Sequence, residues 1–425
     1  MSKFQEHESE VLVVGAGPVG MMTELNLADA GIRVQIIDTE PGIAAHSYAC
    51  ALHPASFQLL NNAGLGEEIL GNGRRIDRIA FYEGESRRTE IWLEDIAPSF
   101  PFLVVLPQST LEGVLQQLLY AKHGVAINWN HRLSDLESGR GEVVATVERL
   151  AQSGKGYAVP DLDWEVDKRL RVRAPFVLGA DGSDSWIRHR LGIDSEHGGP
   201  ADCFSIYEFE YDGELDNEAR VVLDGNTTSV FWPLPNRRCR WTLQVTDADT
   251  ASDGSHIKER SDILVVDAAT EKQVCQRVQQ AIQERAPWFQ TKVRAVAWSA
   301  AVQFEHRVVL QFGEGRCWLL GDAAHQTGPI GMQSMNAGLA EAKMLAEVLT
   351  GILRENKPVS LLSRYNAHYR TLWKQALGID DVFSSRIDAP SWVKNRGGNL
   401  LSCIPAFGEE LFSVAQRVGL DFVAA

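Results

Sequence analysis

Three short stretches of the chain have the residue types and spacing to hold a dinucleotide. The first is Gly15-Ala16-Gly17-Pro18-Val19-Gly20. It follows the apolar, β-branched run Glu10 to Val14 and opens a segment of helical spacing, Pro18 to Ala30. In that context each glycine has its own task. Gly15 permits the tight turn, Gly17 lets a pyrophosphate approach the backbone, and Gly20 lets helix and strand pack closely. The free N–H groups of the first turn, where Pro18 and Val19 lie, and the positive end of the helix dipole favour a diphosphate. Asp38, followed by Thr39, closes the second buried run Val34 to Ile37. An acid at that spacing can accept hydrogen bonds from a ribose. Glu24 breaks the pattern, because such helices usually turn a small side chain toward the sheet there. Either it lies at the edge of the contact or the helix is shifted.

The second stretch is Val177-Leu178-Gly179-Ala180-Asp181-Gly182-Ser183, continuing to Ser185, Arg188 and Gly192. The third is Leu319-Leu320-Gly321-Asp322-Ala323-Ala324-His325, followed by Pro329-Ile330-Gly331-Met332-Gln333-Ser334-Met335-Asn336. Each reads as a buried strand ending in a Gly/Asp turn before a helix. That puts an acid and a close-approach backbone at the carboxyl edge of a parallel sheet, where such sheets bind ligands. Taken singly, either could be a plain turn, and for Gln108, Ser185 and Arg188 alone a solvated surface role is at least as good a reading as a functional one. No nucleophile–base pair stands out, so no catalytic residue is assigned. His46, His53 and His325 read as structural hydrogen-bonders before catalysts. No spacing suits a metal, and H-E-x-x-H is absent.

The elements around these stretches indicate how they are positioned. The 425 residues exceed one ordinary core, so two or more domains are expected. A short helix spans Ser56 to Asn62, closed by Gly64, and Ile79 to Tyr82 with Glu90 to Leu93 suggests a hairpin. Ser109 to Ala121 is helical, Val143 to Val177 alternates like a meander, and Ser205 to Val245 is strand-rich and aromatic. Helices are expected over Glu271 to Arg285 and Asn336 to Leu353, with a mainly helical tail from Leu361. The glycine-turn elements are thus interrupted by a β-rich insert. Its aromatics Tyr207, Phe231 and Trp232 are candidates for a substrate wall, with sheet core as the other reading. A net charge of −15 disfavours nucleic acid and anionic membranes. The polar start MSKFQEHESE lacks signal-peptide character, no apolar run is long enough to span a bilayer, and the 6 cysteines are scattered. A cytoplasmic location is expected.

In this order the three motifs resemble the group A flavoprotein monooxygenases, which include para-hydroxybenzoate hydroxylase and the aromatic polyketide hydroxylases, over roughly residues 8–350. The resemblance implies an α/β fold, a Rossmann-type FAD-binding domain interrupted by a β-sheet substrate domain, with a C-terminal helical segment. The FAD-binding parts would be 1–78, 95–185 and 301–350, the substrate domain 79–94 and 186–300, and the helical region 351–425. It implies that Asp38, with Thr39, holds the adenosine ribose. Gln108 would lie near the FAD ribose and phosphate, and Asp181 would serve FAD and the pyridine nucleotide. Asp322 would bond the ribityl chain, with Gly321 and Ala323 beside it. The Pro329 to Gly331 backbone would line the isoalloxazine, with Met332 and Gln333 following and Asn336 at the next helix N-terminus. Three positions depart from the family: Tyr48 replaces a frequent arginine, Met332 a frequent glycine, and Glu341 an aspartate.

The activity implied is hydroxylation of an aromatic or other apolar small molecule through a flavin C4a-hydroperoxide. O2 would be consumed and NADPH or NADH would bind transiently. The protein would be a monomer or homodimer. A flavin reductase or dehydrogenase of the same fold, or a non-catalytic binder of a hydrophobic compound, are the alternatives. The halogenase signature W-x-W-x-I-P is missing, and Phe231-Trp232-Pro233 does not match it.

Overall fold

The computed structural model describes residues 5–44, 49–139, 141–155, 161–246, 271–379, 383–394 and 397–422. Val11–Val14 is buried at every position, as expected for a strand covered on both faces. It pairs in parallel with Val34–Ile37 on one side and Phe176–Gly179 on the other. Cys317–Leu319 joins next in parallel, and Gly313–Glu314 closes that edge antiparallel. All three motifs therefore leave the same edge of one sheet. The chain runs outward from Val11–Val14 to Val34–Ile37, then returns on the opposite side. That reversal opens a crevice at the carboxyl ends of the strands.

Helices cover this sheet. Pro18–Asp29 packs against both Gln108–His123 and Gln333–Glu355. Gln108–His123 buries Leu111, Leu115 and Leu119 along one face and stops at Gly124, whose φ of 64° provides the left-handed cap. The long helix starts at Gln333, three residues before its sequence signal, behind Met332 at a φ of 53°. Glu24 lies neither at an edge nor in a shifted helix. It sits one turn after Gly20 and is fully buried.

A seven-stranded sheet roofs the crevice. Its order is Val293–Phe304, Asp202–Tyr211, Arg238–Val245, Thr227–Pro233, Glu218–Asp224, Arg78–Glu83, Ser86–Trp92. The early hairpin thus joins strands more than a hundred positions later in the sequence. One face carries a separate core, in which Phe209, Phe231 and Trp241 meet Val278 and Ile282 of helix Glu271–Arg285. A third sheet holds the expected meander strands Val143–Lys155 and Asp161–Ala174, flanked by the unforeseen strands His131–Ser138, antiparallel, and Gln5–Glu8, parallel. The C-terminal region contains helices Leu362–Ala376, Ser391–Lys394, Gly397–Cys403 and Glu409–Val418. A small strand pair, Phe383–Ser385 with Leu420–Phe422, also appears there. Among the described residues no helix is long and apolar enough to cross a membrane.

Candidate active site

The first motif shows why its glycines are glycines. Gly15 has a φ of 103°, and a Cβ there would lie 2.1 Å from the Ala180 carbonyl oxygen. A Cβ at Gly20 would lie 1.9 Å from the Gly15 oxygen, whereas a Cβ at Gly17 would meet nothing within 4 Å. Two glycines thus seat the turn against the second motif and the third faces open space. Helix Pro18–Asp29 begins there with no side-chain cap, leaving its first N–H groups without a side-chain acceptor.

That open space is a cleft of about 920 Å³. Gly17, Pro18, Val19, Gly20, Gln108, Gly321, Asp322, Pro329, Met332 and Gln333 line it, all singled out in the sequence. Phe304 of the roofing sheet also lines it. Asp322 opens on the cleft with protein on its other sides, and that desolvation raises its carboxyl pKa against the pull of His325 and Arg307. The Gln333 side-chain oxygen is buried without a hydrogen-bond partner.

Other expected residues stand behind the lining. Asp38 accepts from the Ala16 N–H at 2.6 Å and the Glu40 N–H at 2.8 Å, tying the second strand to the glycine turn. Thr39 is exposed beside it. Asp181, its pKa raised by burial, accepts from Ser185 Oγ at 2.6 Å and the Ile187 N–H at 3.1 Å. Ser185 and Arg188 are buried rather than solvated. Arg188 donates to the Ser183 and Ala323 carbonyls, and Arg307 to those of Ser183 and Asp322. These two guanidiniums staple the second motif to the third, and burial holds both below their ordinary pKa. Arg307 has no sequence signal, since its partners are backbone oxygens far along the chain.

The Pro329–Gln333 loop is fixed from two sides. Asn336 Oδ1 accepts from the His53 N–H at 2.8 Å, and its Nδ2 donates to the carbonyls of Met332 and Ala51. His53 Nε2 donates to the Gly331 carbonyl at 3.0 Å, and burial pushes its pKa down to about 4, keeping it neutral. From the other side come the backbone carbonyls of Leu401, Ser402 and Ile404. Gln333 Nε2 donates to Leu401 and Ile404, and the Gly331 N–H to Ser402 at 3.1 Å. A Cβ at Gly331 would lie 2.6 Å from the Ile404 oxygen. Glu341 secures the third motif. It accepts from the Gly321 N–H at 2.8 Å and Trp373 Nε1 at 3.1 Å, and lies 2.8 Å from Nε2 of His325, whose ring stacks on Trp373.

The proposed substrate wall falls elsewhere. Tyr207 and Phe231 pack into the core under helix Glu271–Arg285, and Trp232, pointing the opposite way, is fully buried in the main core. None lines the cleft. Strand alternation separates the two faces but does not say which one meets the crevice. Tyr48 and His46 lie outside the described residues. Among the described residues no group of His, Cys, Asp and Glu could hold a metal.

A crevice with a glycine turn at a strand-order reversal, roofed by a mostly antiparallel sheet, defines a flavin-binding oxidoreductase of the two-domain type. Residues 8–378 match the FAD binding domain family. The chain belongs to that family, among the group A flavin monooxygenases, and binds FAD. It is 27% identical over 361 residues to 6-methylpretetramide 4-monooxygenase of Streptomyces rimosus. That match covers 84% of this chain and 58% of the relative's length. It is 25% identical to para-nitrophenol 4-monooxygenase of a Pseudomonas species (strain WBC-3), covering 85% of this chain and 83% of the relative. Its fold is similar to that of p-nitrophenol 4-monooxygenase PnpA from Pseudomonas putida DLL-E4, with a TM-score of 0.72 at 20% identity. There the match covers 98% of this chain and 99% of the other.

Proposed function

We propose that this FAD-dependent monooxygenase hydroxylates an aromatic or other apolar small molecule, with NADH or NADPH as transient electron donor and O2 as oxygen source. The observation that carries this reading is one cleft bounded by the glycine turn, by Asp322, by the Pro329–Gln333 loop and by Phe304 of the roof. The site fits FAD. Gly17 leaves room for a diphosphate, and the helix start offers N–H groups to it. The orphaned Gln333 oxygen is an acceptor awaiting a donor.

In this reading the Gly15–Gly20 turn holds the diphosphate, and Asp38 and Gln108 border the adenosine half. Asp322 with Gly321 meets the ribityl chain, and Pro329 and Met332 flank the ring. Asp181, Arg188 and Arg307 set the separation of the two Gly/Asp turns, while His53 and Asn336 set the loop. Reduced flavin supplies the activated oxygen. The protein's part is to orient the substrate against the ring and exclude water. Residues 1–77, 93–201 and 305–350 form the FAD-binding unit, 78–92 and 202–304 its cover, because the seven-stranded sheet starts at Arg78 and reaches Phe304, and 351–425 is a helical brace. The 6 cysteines, none of them in a disulfide, suit a reducing cytoplasm.

The test is a panel of phenols and fused-ring aromatics, scored for stimulation of NAD(P)H oxidation by FAD-loaded protein under ¹⁸O2. Stoichiometric FAD and one labelled oxygen in the product are expected. A reduced product without label would replace this reading with the reductase.

A further inference from the structure

The sequence has 6 methionines, and two of them, Met332 and Met335, line the flavin cleft. Met21 and Met22 are instead buried in the core from helix Pro18–Asp29, and Met344 lies half-buried further along the long helix. Met332 has a φ of 53°, a conformation in which glycine is at ease and a side chain is strained. The chain nevertheless carries a thioether there. Such a side chain packs like a hydrocarbon but, unlike one, takes oxygen from peroxide. Met332 is only 4% exposed, so bulk solvent scarcely reaches it, whereas a small oxidant formed inside the cleft arises beside it. The surroundings also suit a thioether better than its oxidised form. Asn336 Nδ2 is committed to the carbonyls of Met332 and Ala51, and Gln333 Nε2 to those of Leu401 and Ile404. A new acceptor oxygen on the Met332 sulfur therefore finds both neighbouring amides already spent.

We propose that Met332 is an oxidation site, converted to its sulfoxide by hydrogen peroxide released inside the cleft, and that this modification loosens the hold on FAD. The proposal rests on the monooxygenase reading, which brings O2 to reduced FAD in this cleft. When no substrate takes the oxygen, O2 accepts two electrons and two protons from reduced FAD and becomes H2O2. The O–O bond of the peroxide then breaks. One oxygen bonds to the Met332 sulfur, and the other leaves as water with both hydrogens. The sulfur loses the two electrons that the peroxide gains. The product buries a strong acceptor without a donor, a state relieved only if the Pro329–Gln333 loop shifts. That loop borders the cleft, so its shift is felt by the cofactor. Met335, in the first turn of the long helix, is half-buried, and an oxygen there keeps contact with water. Of the two cleft sulfurs, Met332 is thus the one whose oxidation is coupled to FAD.

The test cycles FAD-loaded protein between stoichiometric reduction by dithionite and reoxidation by O2, without substrate and with catalase in the bulk to destroy escaped peroxide. Peptide mass mapping should show Met332 gaining one oxygen while Met344 stays unmodified. Hydrogen peroxide added from outside, without catalase, should reverse that order. After gel filtration of the cycled wild type, the Met332 sulfoxide should be enriched roughly tenfold in the FAD-free fraction, the change in binding that one unsatisfied buried acceptor brings. Cycled Met332→Leu should keep its FAD, and cycled Met335→Leu should still release it. An unmodified Met332 after cycling, Met344 oxidised ahead of it, or sulfoxide spread evenly between the two fractions would overturn the proposal. So would equal FAD release by Met332→Leu and wild type. Wild-type protein that cannot hold FAD at the outset would overturn the underlying reading instead.

Discussion

Helices Pro18–Asp29 and Gln333–Glu355 pack against each other, and each buries one glutamate completely. Glu341 has the Gly321 N–H, the Trp373 indole and the His325 ring around it. Both oxygens of Glu24 lack a partner, and burial pushes its pKa up to about 8. A carboxyl surrounded by donors fixes a loop in place, whereas a carboxyl without them takes up a proton and acts as an awkward apolar side chain. Neighbouring sites in one layer thus bear opposite relations to stability. Glu341 is held in position by the third motif, and Glu24 is tolerated.

Removing the partnered carboxyl tests the contrast most severely. Glu341→Ala should cost about 3–5 kcal/mol of stability, because it strands the Gly321 and Trp373 donors and His325 in a dry interior. FAD retention should fall with it, since Gly321 lines the cleft. A denaturation midpoint and flavin content close to wild type would erase the distinction. Glu24 should respond the other way. With a folded pKa above the unfolded value of 4.5, the native state binds the extra proton, so stability falls as pH rises from 4.5 to about 8 and then levels off. That displacement bounds the penalty at roughly 5 kcal/mol. Glu24→Met should flatten the pH dependence and stabilise the protein at pH 8 by about 2–4 kcal/mol. Parallel stability–pH curves for the two proteins would show that Glu24 has a partner after all.

The smallest effect concerns the start of the helix that carries Glu341. Met332 holds a left-handed conformation, anchored through its carbonyl by Asn336. Met332→Gly and Met332→Ala both lose the side chain, but only glycine is at ease there. The glycine variant should be the more stable by about 1 kcal/mol in urea denaturation. An alanine variant of equal stability would mean that the loop relaxes without hindrance.

These contrasts also show what was legible in the sequence. The glycine turn, Asp38 and the two Gly/Asp turns lie within single strand–turn–helix units, so local spacing located them. Glu24 was visible as an anomaly, but its burial depends on two helices more than eighty residues downstream. Arg307 and the carbonyls of Leu401, Ser402 and Ile404 act on backbone that is distant in sequence. A backbone acceptor leaves no mark in side-chain type. Phe231 and Trp232 were recognised as strand aromatics, yet which face each would take follows from pairing with Trp241 and from the cover of helix Glu271–Arg285. Asp202 and His306 are 104 positions apart and meet because Asp202 pairs antiparallel with Phe304, two residues before His306.

The carbonyls that shape the Pro329–Gln333 loop have a consequence for biosynthesis. A nascent chain translated only through the long helix has all three motifs but lacks the oxygens that receive the Gly331 N–H and the Gln333 amide. The floor of the cleft is thus finished by a segment the ribosome delivers after all three motifs. Flavin capture in its final geometry therefore waits for Leu401, Ser402 and Ile404, and free FAD meets a site completed later than the turns that border it.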